Sequence, residues 1–405
     1  VDGKNVASIE IRNEDVLKML RGKGGTKVNV SILRRGFNDL LEFNITRDKI
    51  PLTSVDAAYL VTPEIGYIRV SQFAANTYDE YMDHFMALKE KGMEKLILDL
   101  RGNPGGYLNM AIKIADEFLP ENKLIVYTKG KSKPEEKYFS TRRGYFEEGD
   151  LAVLIDEGSA SASEIVSGAL QDWDRATIIG RRSFGKGLVQ EQSSLPDGSA
   201  IRLTIARYYT PTGRSIQKPY GEGYEKYSRD YAERLAHGEL ENADSIHFAD
   251  SLKFQTPSGK AVYGGGGIMP DVFVPLDTSY FSEFFTDVIG KGILSQFAYD
   301  YVDRNRKTLS KFGSFEKFNA AFSVTDEIYN NLVKYAFAQK AAHDEKGIKR
   351  SAEKIKLNLK ALIARQFWKR DGYFPVLNSG DATMKKAVSI LSGAKIKTET
   401  VRENQ

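Results

Sequence analysis

Leu151-Ala152-Val153-Leu154-Ile155-Asp156-Glu157-Gly158-Ser159-Ala160-Ser161-Ala162-Ser163-Glu164-Ile165 is the stretch on which the fold turns. Its five unbroken apolar residues read as a strand buried on both faces, the mark of a parallel sheet covered by helices. Small and polar residues follow, and Glu164 to Trp173 then reads as a helix. Strand, tight turn and helix in that order make an α/β unit. The same rhythm extends outward, with Ile65 to Val70 as strand, Asp79 to Lys91 as amphipathic helix and Lys95 to Leu100 as buried strand. Leu108 to Leu119 continues it as helix, and Leu124 to Tyr127 and Thr177 to Ile179 as strands. Lys129 to Asp150, charged and glycine-containing, reads as a surface excursion.

The turn itself carries chemistry. Ser161-Ala162-Ser163-Glu164 fits a capping box, an ordinary structural device. However, the small residues from Gly158 to Ala162 let a substrate backbone approach closely, and a helix N-terminus offers amides to a developing oxyanion. Spacing leaves the choice among Ser159, Ser161 and Ser163 open. Further along, Gly180-Arg181-Arg182-Ser183-Phe184-Gly185-Lys186 satisfies the first seven positions of a phosphate-binding loop. Gly187 then stands where a Ser or Thr should hold magnesium, and Leu188-Val189 reads as strand rather than the required helix, which argues against nucleotide binding. Considered alone, Lys186 is a surface lysine in a glycine turn. A serine hydroxyl, though, needs a neutral base. Deprotonating an ordinary lysine at pH 7 costs about 4–5 kcal/mol, which burial in a dry pocket can supply. Gln190 lies four residues on, and in an extended chain its side chain projects from the same face as that of Lys186, where the amide could orient the amine.

Composition bounds the alternatives. At 405 residues and 41% apolar content the chain is long enough for two or three domains. No stretch approaches the roughly 18 unbroken apolar residues of a membrane span, and no apolar signal sequence opens the chain, which starts at Val1. A net charge of +4 on 58 basic and 54 acidic residues gives no reason to invoke nucleic acid. Cysteine is absent, so disulfides and a cysteine nucleophile are excluded. The four histidines, His84, His237, His247 and His343, have no suggestive partners, and a Ser-His-Asp triad is unsupported.

The two ends differ from the middle. In residues 1 to 50, Glu14 to Leu20 reads as a short helix, and the alternating sets Val28/Val30/Ile32 and Leu41/Phe43/Ile45 read as a hairpin around a turn containing Gly36. This segment resembles the second half of a PDZ domain, whose first half, with the carboxylate-gripping loop, would precede Val1. Beyond about Pro275 helical periodicity dominates. Ile355, Leu359, Leu362, Ile363 and Phe367 share one face, with Lys354, Lys356, Lys360 and Arg365 elsewhere. Packing on a neighbouring helix or a second copy is the expected use of that face, so a homo-oligomer formed through these helices is a possible partner state.

Four motifs carry a more specific resemblance: Leu98-Asp99-Leu100-Arg101-Gly102-Asn103-Pro104-Gly105-Gly106, the Gly158 to Ile165 run, Phe184-Gly185-Lys186-Gly187 with Gln190, and Tyr208-Tyr209-Thr210-Pro211-Thr212-Gly213-Arg214-Ser215-Ile216. In this order they resemble the carboxyl-terminal processing, or tail-specific, serine protease family. Gly264 to Gly267 followed by Ile268-Met269-Pro270-Asp271 matches a late family motif expected to close the domain by a turn. The resemblance implies an α/β core of crotonase and Clp protease type, with a partial PDZ domain at 1–50, a Ser-Lys protease core at 51–275 and a helical region at 276–405. It implies Ser161 as nucleophile, because the family's serine precedes its lysine by 25 positions and Lys186 lies 25 beyond Ser161. Lys186 would be general base and acid, and Gln190 would hold it. The oxyanion donors would be the amides of Ala162 and of Gly105 or Gly106, and Asp99, Arg101 and Glu164 would brace the site. The implied activity is cleavage of proteins near disordered, apolar C-terminal tails, without metal or cofactor, in the bacterial periplasm or elsewhere outside the cytoplasm. A scaffold of the same fold that binds peptides without hydrolysing them is the alternative.

Overall fold

A computed structural model describes residues 1–393 apart from 8, 10, 35–38, 51, 52, 142 and 222. It divides into two compact units, Val1–Leu52 and Thr53–Gln405.

The first unit holds helix α1 (Asn13–Leu20) and the antiparallel strands β1 (Lys27–Ile32) and β2 (Leu41–Thr46), paired from Lys27↔Thr46 to Ile32↔Leu41. The expected Gly36 turn lies outside the described residues. Arg47 fastens the end of α1 to the hairpin, since its guanidinium donates to the carbonyls of Met19, Leu20 and Lys27. Val28 is buried, whereas Leu17, Phe43 and Ile45 remain exposed.

The second unit opens with β3 (Val55–Leu60), β4 (Ile65–Val70), α2 (Thr77–Glu90), β5 (Lys95–Asp99), α3 (Leu108–Asp116), β6 (Leu124–Lys129), β7 (Glu136–Phe139), β8 (Leu151–Ile155), α4 (Ala162–Asp172) and β9 (Thr177–Gly180). It continues with β10 (Leu188–Ser194), β11 (Ala200–Tyr209), α5 (Tyr224–Ala236), β12 (Lys253–Gln255), β13 (Ala261–Tyr263) and β14 (Val272–Phe273). A six-stranded sheet runs in the order β14-β9-β8-β5-β4-β3, parallel except for the antiparallel pair β3/β4. Beside it lies an antiparallel sheet of order β10-β11-β6-β7. Phe85, Ile114 and Val166 of α2, α3 and α4 pack with Leu98 and Val153 into one core, as expected where helices cover a parallel sheet. The charged excursion from Lys129 to Asp150 is more than surface: it contains β7, and Phe146 stands edge-on to Phe85 and Phe118 in the core. Alternating charges on a strand at the sheet edge masked it.

The remaining helices are α6 (Glu283–Gly290), α7 (Ile293–Leu309), α8 (Phe315–Ala321), α9 (Asp326–Ala338), α10 (Glu345–Ser379) and α11 (Ala382–Leu391). They bury a separate apolar cluster that includes Phe284, Leu294, Leu332, Ile355, Leu359 and Ile363. The apolar face read on α10 is thus packed within the chain. Less expected, Met384, Ala387 and Leu391 of α11 cover the second face of the large sheet against Tyr67, Ile97, Leu154 and Ile179. Among the described residues no helix is long and apolar enough to cross a membrane.

Candidate active site

β8 ends at Ile155 and α4 begins at Ala162, so Ser161 caps α4, with φ 56° and ψ −111°. Such a conformation is strained for any residue with a side chain, by about 1–3 kcal/mol, and persists only when its surroundings enforce it. Glu164 does the enforcing. Its fully buried carboxylate accepts the Ser161 N–H (2.8 Å), which is the glutamate half of the predicted capping box. It also accepts the N–H groups of Gly185 (2.7 Å) and Lys186 (2.8 Å) and the Ser183 hydroxyl (2.5 Å). One carboxylate therefore joins the turn carrying the serine to the loop carrying the lysine. Burial raises the Glu164 pKa above its ordinary value, and these four donors oppose the rise.

Further bonds hold the two segments together. The Phe184 N–H donates to Ser159 O (2.9 Å), and Ser183 exchanges backbone and hydroxyl bonds with Ile268 (3.0 and 2.6 Å). The turn expected near Gly264 to Asp271 therefore grips the Lys186 loop.

Hydroxyl direction separates the three serines. Ser159 Oγ donates to Leu100 O (2.8 Å) and Ser163 Oγ to Asn103 O (3.0 Å), and both side chains are fully buried. Ser161 instead lines a cleft of about 950 Å³ together with Ala162, Gly105, Gly106, Lys186 and Gln190. Phe73, Leu108, Ile112, Ile165, Leu188 and Tyr208 supply its apolar wall. No histidine lines it. A larger cavity of about 1460 Å³ between β3 and the C-terminal helices contains none of these groups.

Two backbone donors in the cleft are free. Ala162, the first residue of α4, has one of the orphan amides of a helix start, and among the described residues neither it nor the Gly106 N–H has an internal acceptor. The Gly105 N–H is occupied by Asn103 Oδ1 (2.8 Å). Gly105 serves another purpose: with φ +95° it passes so close to the serine turn that a Cβ would stand 2.7 Å from both Ala160 O and Ser161 Cβ.

Lys186 is half-buried, and no hydrogen bond or ion pair engages its amine among the described residues. Gln190 is exposed and makes no hydrogen bond to it. The extended run expected from Lys186 begins only at Leu188, and a bulge falls between Val189 and Gln190, so simple alternation does not relate the two side chains.

Asp99 and Arg101 stand apart from the cleft. Asp99, fully buried at the end of β5, accepts bonds from Tyr67 (2.7 Å), Arg69 (3.1 Å) and Arg101 (2.7 Å). Burial alone would raise this carboxyl, but the two guanidiniums outweigh it and hold the pKa well below the ordinary 3.8. Arg101 reaches on to Asp381 at the start of α11 (2.8 Å). This knot ties the sheet to the last helix. Sequence reasoning assigned no role to Asn103 or Tyr208, although both fall inside quoted motifs. Asn103 spans the site's floor, with its amide donating to Val70 O (2.9 Å) and its backbone carbonyl accepting from Ala160 (2.9 Å).

The α/β core thus sets a serine on a strained turn, beside an apolar cleft and two amides that have no internal acceptor among the described residues. Residues 64–223 match the model of peptidase family S41. Residues 284–369 match a family of unknown function, DUF8443. Among curated proteins, the chain is 41% identical over 222 residues to the carboxyl-terminal-processing protease of Synechocystis sp., covering 54% of this chain and 51% of that protein. It is 43% identical over 222 residues to the carboxy-terminal-processing protease of Bartonella bacilliformis, covering 54% and 50%. The chain thus spans about half the length of these relatives. Among solved structures, the photosystem II D1 C-terminal processing protease aligns with 26% identity and a TM-score of 0.39, over 69% of this chain and 62% of that one.

Proposed function

We propose that this chain is a serine endopeptidase that cleaves proteins near their C-terminal tails, with Ser161 as nucleophile and Lys186 as general base and acid. The observation that carries this reading is the fate of the three hydroxyls: those of Ser159 and Ser163 are spent on buried carbonyls, and Ser161 shares its cleft with Lys186. An extended substrate lying along β10, an edge strand of its sheet, would displace water from both groups, the condition a lysine base needs. Ser161 Oγ attacks the scissile carbonyl as Lys186 takes its proton, and the oxyanion falls to the amides of Ala162 and Gly106. Lys186 returns the proton to the leaving amine, and water then hydrolyses the acyl-enzyme. Gln190 would hold the lysine after a side-chain rotation.

The same reading assigns a crotonase and Clp protease type of core to 51–275, a helical region to 276–405, work outside the cytoplasm, and part of a PDZ domain to 1–50. Exposed Phe43 and Ile45 on the hairpin support the last of these. The test incubates the protein with an unstructured polypeptide ending in apolar residues and follows the fragments by mass spectrometry. Fragmentation that stops in Ser161→Ala and in Lys186→Ala is the expected result. Equal cleavage by either variant removes that residue from the scheme, and a stoichiometric complex without turnover favours the scaffold.

A further inference from the structure

The backbone around Lys186 is held at every polar atom. Its N–H goes to Glu164 (2.8 Å), the Gly187 N–H to Gln217 Oε1 (2.9 Å), and the Gly187 carbonyl accepts from the Tyr208 N–H (3.0 Å). The fourth atom, the Lys186 carbonyl, accepts from the Tyr208 hydroxyl. Tyr208 thus brackets the peptide from both sides, using its own amide and its phenol. The phenol is buried, it borders the cleft, and the Ser161 hydroxyl lies within its hydrogen-bonding reach.

We infer that Tyr208 is the positioning residue of the Ser-Lys pair: its hydroxyl fixes the Lys186 peptide beside Ser161, so that only side-chain torsions remain to aim the amine. This rests on the dyad proposed above. A free loop peptide can flip and carry the lysine away from the serine, and four satisfied backbone atoms remove that freedom before substrate arrives. Ring burial alone would be served by phenylalanine; the hydroxyl is what holds the Lys186 carbonyl. Burial, aided by the nearby Glu164 carboxylate and opposed by the Ser161 hydroxyl, holds the phenol well above its usual range, so it stays a donor across the working pH range.

The decisive variant is Tyr208→Phe in the full chain, assayed for kcat and KM on the unstructured polypeptide and for the rate at which a fluorophosphonate labels Ser161. Activity is normalised to the folded fraction seen by near-ultraviolet circular dichroism. The expected result is a kcat lower by about tenfold or more, KM within about twofold, and proportionally slower labelling. Unchanged kcat and labelling per folded molecule overturn the inference. Incorporating 3-fluorotyrosine at 208, which preserves shape and alters the phenol's acidity, guards against misfolding of the phenylalanine variant: a shifted kcat supports the role, and an unshifted one opposes it. Ser161→Ala and Lys186→Ala run alongside. If either retains full cleavage, the dyad has failed and takes this inference with it; if both are inert while Tyr208→Phe is fully active, only this inference falls.

Discussion

Asp99 and Glu164 are both fully buried carboxylates at the ends of core elements, yet they are stabilised in opposite ways. Asp99 is neutralised by the guanidiniums of Arg69 and Arg101, whereas Glu164 is held by three amides and a hydroxyl with no cation. The contrast shows how a protein can anchor a lysine loop without trapping its amine. Had Glu164 paired with the Lys186 ammonium, it would have favoured the charged form that the proposed base must avoid. By taking the backbone N–H instead, it fixes the loop and leaves the amine without a partner among the described residues. Asp99, remote from the cleft, is free to use full ion pairs as a brace.

The comparison is broken most strongly by removing the brace. Asp99→Ala strands two largely buried guanidiniums and should lower unfolding free energy in urea by about 3–5 kcal/mol, while the folded fraction still cleaves. A loss under about 1 kcal/mol would mean that the knot is ornamental. Next comes Glu164→Gln, which turns one acceptor oxygen into a donor facing N–H groups. The expected loss is about 2–3 kcal/mol, with kcat falling by at least about tenfold because the strained serine turn and the lysine loop part. Normal turnover in that variant would refute the clasp.

The smallest effects lie in acid. Asp99 has a folded pKa below its unfolded value, so its contribution is present above about pH 4–5 and lost as pH falls. Glu164 has a raised folded pKa, so its contribution is present in acid and lost as pH rises through that pKa. Relative to wild type, Asp99→Asn should therefore lose less stability on acidification and Glu164→Gln more, measured by urea unfolding over a pH series. Parallel curves for all three proteins would contradict the contrast.

How much of this was legible follows from the range of the interactions. Leu151–Ile155 was read with its exact bounds, because an uninterrupted apolar run followed by small residues has few other uses. The helix after it began two residues earlier than expected, since cap residues carry no apolar signal. Choosing among Ser159, Ser161 and Ser163 depends on where two hydroxyls find carbonyls from the Leu100–Asn103 segment, about 60 residues earlier in sequence. Local sequence cannot specify that. The bulge that separates Gln190 from simple alternation is likewise set by pairing with β11. The covering of the second sheet face by α11 joins residues nearly 300 positions apart, which no periodicity reports.

That last helix has an engineering consequence. A shortened version ending before Asp381 would present Tyr67, Ile97, Leu154 and Ile179 as bare greasy β-surface and would strip Arg101 of its outer carboxylate. Transplanting the sheet-bearing half into another scaffold would therefore yield a sticky fragment unless its C-terminal cover travels with it.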